Sequence, residues 1–263
     1  MIALYHNDMS VCAQKARMTL AEKQLQWQSH HLDLRAGDQQ KAEYLQLNPN
    51  AVVPTLLDNG AVIIESTVIC EYLDDAYSEP NLRPKDAAAR ARMRLWTKQL
   101  DEGVHAATST LSNGIAFRHQ KLIWGMDKLE EFHRKMPNPV RREQSWENIT
   151  KGVESRYFID AAKRFDKLLD DMEAALANHK WLAGDEYSLA DISYAPYITR
   201  LDHLQLQFFW DHRPHVLDWY DRLRERRSYR EAFDAWPNPS YYGLMKQKGL
   251  EARDRVIAIV ARF

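Results

Sequence analysis

Apolar and polar positions alternate in two different rhythms along this chain of 263 residues. Residues 2–6 form a short apolar run that breaks at Asn7-Asp8-Met9-Ser10. From there apolar residues recur at 11, 12, 16, 18, 20 and 21, which predicts a helix to about residue 23, with Ser10 placed as its N-cap. A second strand is expected over 27–32, and a second helix over 38–47, ending at Asn48-Pro49. Strands follow at 55–57 and 61–64, joined by Asp58-Asn59-Gly60, a strong hairpin signal. A helix opening at Ser66 carries apolar residues at 68, 69, 72, 73 and 76, a one-sided stripe. The order βαβαββα in about eighty residues is that of a small α/β domain with a mixed four-stranded sheet.

After residues 78–84, rich in turn formers, the strand rhythm disappears. Long amphipathic stretches predict helices over 86–106, 127–135, 157–176, 188–204 (with Pro196 as a kink), 215–223 and 250–263, while 136–140 interrupts them. Three parts are therefore expected: an α/β domain at 1–79, a linker at 80–87 and an all-α domain at 88–263. In the helical part, Ser188 and Asp191 follow the loop 181–187 in the spacing of a capping box. The serine would cap the Asp191 N–H while the carboxylate reaches back to the Ser188 N–H.

Composition narrows the function. Apolar residues make up 45% of the chain, with 8 Trp and 12 Tyr, enough for a packed core. A net charge of −1 with mixed signs gives no electrostatic case for nucleic acid or an anionic membrane, and no apolar run is long enough to span a bilayer. Cys12 and Cys70 are too few for a disulfide framework, and the N-terminus lacks the pattern of a signal peptide, so a cytoplasmic protein is expected. The histidines form no HExxH, and adjacent His30 and His31 on a strand point to opposite faces, so no metal centre is expected.

Two stretches carry candidate chemistry. Val53-Pro54 is an X-Pro bond in extended chain, where a cis peptide is accessible and backbone groups escape the ladder. Glu65-Ser66 opens a helix whose bare N–H groups suit an anion. Together they point to a site for a small anionic peptide.

Val53-Pro54, Glu65-Ser66 and Leu182-Ala183-Gly184-Asp185 with Ser188 and Asp191, in this order, resemble the cytosolic glutathione S-transferases over the whole chain. The resemblance implies a thioredoxin-like domain followed by an all-helical domain. Residues 65–73, Leu82-Arg83-Pro84, Leu95-Trp96-Thr97-Lys98 with Asp101-Glu102, and a long insertion around 137–146 are similar to the bacterial glutathione-dependent β-aryl-etherases of lignin breakdown.

The resemblance also implies site roles. The cysteine of glutathione would pair with the Val53 backbone before Pro54, Ser66 would hold the γ-glutamyl carboxylate and Glu65 its amine. Gln39, in Gly37-Asp38-Gln39, would meet the glycine end. Val52 stands where relatives commonly carry a polar glutamine, which removes one hydrogen-bond partner. Counted back from Lys15-Ala16-Arg17, Ser10 falls on the family's serine or cysteine position, and Cys12 is the second choice. Moving a thiol from about 8.5 to about 6.5 takes roughly 2.7 kcal/mol of selective thiolate stabilisation, which a hydroxyl donor backed by a helix dipole can supply. The hydrophobic aromatic electrophile would lie between the domains, with Thr110, Ser112, Asn113, Phe117, Trp124, Tyr241 and Tyr242 as walls. The expected activity is a glutathione transferase, cleaving β-aryl ethers or detoxifying other electrophiles, as a homodimer. A glutathione-dependent thiol oxidoreductase using Cys12 and a non-catalytic glutathione-binding protein remain as alternatives.

Overall fold

The computed structural model describes residues 1–134, 136 and 138–263. Strand β1 (Ile2–His6) leads into helix α1 (Val11–Glu22) and strand β2 (Trp27–His31), which pairs parallel to β1. A short helix α2 (Ala42–Leu45) follows, then strands β3 (Thr55–Asp58) and β4 (Ala61–Ile64) and helix α3 (Ser66–Ala76). The sheet order is β2-β1-β3-β4, with β3 antiparallel to both neighbours. Alternation in β1 sends Ile2 and Leu4 into a core with Leu56 of β3, Ala16 and Leu20 of α1, and Ile69 and Leu73 of α3. The β3–β4 turn places Asn59 and Gly60 at φ 49° and 90°, the left-handed pair that a tight hairpin turn needs.

The chain divides into two compact units. One comprises Met1–Lys98, Ala175–Pro196 and Asp218–Asn238; the other comprises Gln99–Ala174, Tyr197–Leu217 and Pro239–Phe263. Beyond the sheet all elements are helical: α4 (Ala87–Gln99), α5 (His105–Ser112), α6 (Arg118–Leu122), α7 (Met126–Arg134), α8 (Pro139–Lys151), α9 (Arg156–Leu176), α10 (Leu189–His203), α11 (Pro214–Glu225), α12 (Arg227–Tyr229) and α13 (Pro239–Val260). Wide helical turns at Leu100–Val104, Asn113–Phe117 and Arg230–Asp234 interrupt this series. No described helix is long and apolar enough to cross a membrane.

Several elements differ from the expected ones. Residues 38–47 form not one helix but a 3₁₀ turn at Asp38–Gln40 and the single turn of α2, broken by extended Lys41. The helix expected over 86–106 widens at Leu100–Val104, where Gly103 lies at φ 147°. Helix α8 begins at Pro139 inside the stretch read as an interruption, because the Asn138 side chain accepts the Arg141 N–H and proline suits the first helical position. Lys135 and Pro137, which were expected to end one helix and open the insertion, lie outside the described residues. The C-terminal helix starts at Pro239 rather than 250. Its Gly249 explains why that half reads poorly: a Cβ there would come within 2.1 Å of the Leu204 carbonyl oxygen.

The capping box is half as expected and more heavily used. The Asp191 carboxylate accepts the Ser188 N–H at 3.0 Å, but the Ser188 hydroxyl accepts from Ala190, not Asp191. Asp191, fully buried, also accepts the Leu182 N–H and the Trp219 indole N–H, so it fastens the 181–184 loop as well as the start of α10. In turn, Trp96 and Arg92 of α4 donate to the Leu182 and Ala183 carbonyls.

Candidate active site

Strand register brings the candidate loops to one end of the sheet. Tyr5 pairs with Thr55, Thr55 with Ile64, and His6 with His31. The loop carrying Ser10 follows His6, Val53-Pro54 precedes Thr55, Glu65-Ser66 follows Ile64, and the segment with Gln39 follows β2. All four therefore emerge at the same edge, where α1 and α3 both start and present their N-terminal N–H groups.

Ser10 caps α1: its Oγ accepts the Ala13 N–H at 3.3 Å. A hydroxyl that accepts in this way keeps its proton for another acceptor, and among the described residues none takes it. Cys12, partly exposed, lies in the first turn of the same helix. The loop before Ser10 is anchored by Arg17, a buried residue of α1. Its guanidinium donates to the carbonyls of Asn7 and Asp8 at 3.0 Å each and of Ala232 at 2.9 Å, and lies over the Trp236 ring. Arg17 also lies 3.1 Å from His6 Nδ1. Arginine can only donate, so Nδ1 is the acceptor and Nε2 carries the proton toward Ser29 Oγ, 2.8 Å away. Burial, reinforced by the Arg17 charge, pushes His6 down to about 3, so the ring is neutral. Asp8 completes the anchorage, accepting from Asn238 Nδ2 at 2.7 Å and the Met9 N–H at 2.8 Å.

The Val53–Pro54 bond is cis. Tyr44 and Asn48 both donate to the Val52 carbonyl and both contact Thr55 Oγ1, so this corner is braced from α2. The Val53 N–H and C=O, just outside the ladder, make no hydrogen bond among the described residues. Glu65, exposed, holds φ 67° and ψ 115°, a conformation few non-glycine residues adopt. Its carbonyl accepts the Ile69 N–H at 2.8 Å, while Ser66 is buried at the first position of α3. Gln39 donates to the Leu34 carbonyl at 3.3 Å, and its buried Oε1 has no partner among the described residues.

The electrophile candidates all belong to the other unit. Some come together: Phe117 meets Tyr241 edge-on at 5.4 Å, and Arg200, which donates to Ser112 Oγ, lies 5.5 Å from the Phe117 ring. Tyr242 packs on His203 and Trp124 on Phe132. Thr110 and Ser112 are buried; Thr110 accepts from Gln144 of α8, Ser112 donates to the Thr108 carbonyl, and Asn113 donates to the Ser109 carbonyl. Sequence reasoning missed Arg200, which burial pushes down to about 10, as well as Lys15, Arg17, Asp8, Asn238 and Trp236. The available signal was the pair of cations Lys15 and Arg17 in a helix whose neighbouring positions 11–13, 16 and 18 are apolar.

Comparison with known proteins accords with this architecture. Residues 9–76 match the family model described as glutathione S-transferase, N-terminal domain, and residues 87–222 match that described as glutathione S-transferase, C-terminal domain. Protein LigF of Sphingobium sp. (strain NBRC 103272 / SYK-6) is 31% identical over 229 residues, covering 84% of this chain and 88% of that protein. Glutathione S-transferase GstB of Escherichia coli (strain K12) is 30% identical over 234 residues, covering 88% and 97%. The crystal structure of β-etherase LigF from Sphingobium sp. strain SYK-6 aligns with a TM-score of 0.77 at 28% identity, covering 89% of this chain and 99% of that one.

Proposed function

Because the chain belongs to the glutathione S-transferase family, as its three motifs implied, and takes glutathione as co-substrate, we propose how its own residues carry out the transfer. The bound thiolate attacks an electrophilic carbon of an aromatic substrate. In the β-aryl-ether case a C–S bond forms as the C–O bond breaks, and the electron pair leaves on the aryloxide oxygen, which then takes a proton. The observation that carries this reading is the single sheet end where a serine hydroxyl, an unpaired backbone corner and two helix N-termini converge.

In this reading residues 1–79 hold glutathione, 80–87 link, and 88–263 select the electrophile. Ser10 donates a hydrogen bond from its hydroxyl to the thiolate and keeps its proton. Val53, before Pro54, pairs with the cysteinyl backbone through its open N–H and C=O. Ser66 and the α3 amides hold the γ-glutamyl carboxylate, Glu65 its ammonium, and Gln39 the glycine end. Thr110, Ser112, Asn113, Phe117, Trp124, Tyr241 and Tyr242 border the aromatic substrate, and the protein works as a cytoplasmic homodimer.

Glutathione consumption measured with a model β-aryl ether and, in parallel, with a generic haloarene tests the reading. Turnover of the ether with release of the free phenol is the expected result; inertness toward the ether alongside haloarene turnover would remove the etherase assignment. Ser10→Ala should lower kcat/KM about a hundredfold, the usual cost of a lost donor to a developing anion. Cys12→Ser should leave it within about twofold. The reverse pattern, with a mixed disulfide on Cys12 by intact mass, would transfer the chemistry to the oxidoreductase reading.

A further inference from the structure

Lys15 is fully buried in the middle of α1. Its Nζ donates to Thr67 Oγ1 at 2.8 Å, in the first turn of α3. Among the described residues no carboxylate pairs with it. Burying an ammonium costs several kcal/mol when no opposite charge compensates it, and an apolar side chain at this position would avoid that cost. An ammonium held by a neutral hydroxyl also keeps its field. That field is felt at Cys70, a fully buried thiol of α3, where burial pushes the thiol up and Lys15 pulls against it. The other titratable groups acting on that thiol are Cys12 and Glu71. Lys15 lies about one helical turn beyond Cys12 on α1, and its ammonium reaches the first turn of α3 at Thr67.

We propose that Lys15 is a positioning residue of the glutathione site: it fixes Thr67, and with it the N-terminal turn of α3, and adds a buried positive charge that favours the glutathione thiolate. The inference rests on the glutathione reading of this sheet end. It adds the Lys15 charge as a third source of thiolate stabilisation beside the Ser10 hydroxyl and the helix dipoles.

The test titrates the thiolate ultraviolet absorbance of the enzyme–glutathione complex against pH, beside the pH profile of kcat/KM with a haloarene. Lys15→Met keeps the length and removes the charge. It should raise the midpoint by about one pH unit, about tenfold less thiolate below the midpoint, while Lys15→Arg stays within about twofold of wild type. An unchanged midpoint in a Lys15→Met protein that still binds glutathione overturns the proposal, and so does an equal shift in Lys15→Arg, which marks a role in packing alone. Thr67→Val serves if Lys15→Met does not fold: it should raise KM for glutathione about fivefold with kcat little changed, and an unaltered KM overturns the positioning role. A wild-type complex with no thiolate band would instead bring down the glutathione reading itself, a distinguishable result.

Discussion

His6 shows how a polar residue at a buried strand position can be made stable. It ends β1 with its ring fully buried, faces Trp236 and Trp27 edge-on, and divides its nitrogens between an arginine donor and a serine oxygen. Burial opposes the charged ring first of all, and protonation would also place a second cation against Arg17, so His6 is pushed down to about 3. An unfolded histidine titrates near 6.5, so between those values the unfolded chain binds a proton that the folded chain refuses. Stability is therefore full above about pH 6.5 and falls as the pH drops toward 3, by about 1.4 kcal/mol per unit. Urea denaturation should show the wild type losing about 2 kcal/mol more than His6→Gln between pH 7 and about pH 5; equal losses would mean that His6 does not set the acid limb. Neither the role of His6 nor its partnership with Arg17 and Trp236 could be read from the local pattern, which showed only that a cation sits inside the helix. Polar residues in an apolar run register only as interruptions, and the groups that bury Arg17 come from Ala232 and Trp236, more than 200 residues away.

At the scale of elements, legibility follows how local the determinant is. The hairpin at Asn59-Gly60, the cap at Ser10 and the start of α3 at Ser66 are written within a few residues, and each element formed where the pattern placed it; of the expected α3 stripe, Ile69 and Leu73 are buried, whereas Val68 is exposed. The four-strand order and the gathering of Ser10, Val53 and Ser66 at one sheet end follow from those elements. The pattern missed the break at Lys41, whose N–H closes the 3₁₀ turn on the Asp38 carbonyl, and the early start of α13, a helix whose Gly249 makes a non-local approach to Leu204. One contact of this non-local kind joins α1 to α3. Lys23, at the end of α1, pairs with Asp74 of α3, both side chains fully buried, and donates to the carbonyls of Tyr77 and Pro80. Asp74 also accepts the Leu82 N–H at 2.8 Å and the Arg83 guanidinium at 2.6 Å. Removing one partner strands the others, at a typical cost of 3–5 kcal/mol. Asp74→Asn should therefore destabilise the protein by about 3 kcal/mol in urea titrations, with little sensitivity to salt because the pair is shielded from solvent. A change below about 1 kcal/mol would mark the cluster as dispensable.

For the whole molecule, the notable feature is that the sheet-bearing unit is assembled from three separate stretches of chain, with boundaries that fall inside α4, α9, α10 and α11 and, after Asn238, just before α13. The later stretches supply that unit with specific groups. Arg226 grips Glu22 of α1 through two hydrogen bonds of 2.6 and 2.8 Å, and Ser228 donates to the same carboxylate. The Ala232 carbonyl takes the Nε–H of Arg17, and Trp236 stacks on Trp27 and lies under the Arg17 guanidinium. A fragment of residues 1–79 would keep the sheet and both helices, yet expose one flank of α1 and strip Arg17 of its Ala232 acceptor and its Trp236 cover. The lost hydrogen bond to a charged group amounts to about 1.5–3 kcal/mol and the lost aromatic burial to about as much again, against a total stability of about 5–15 kcal/mol for an ordinary domain. The fragment should accordingly show no cooperative urea transition and poor dispersion of its amide resonances, while the full chain unfolds cooperatively. Cooperative unfolding of the fragment would show instead that α1 and α3 alone suffice to hold the sheet, and that the stretches at 175–196 and 218–238 merely decorate it.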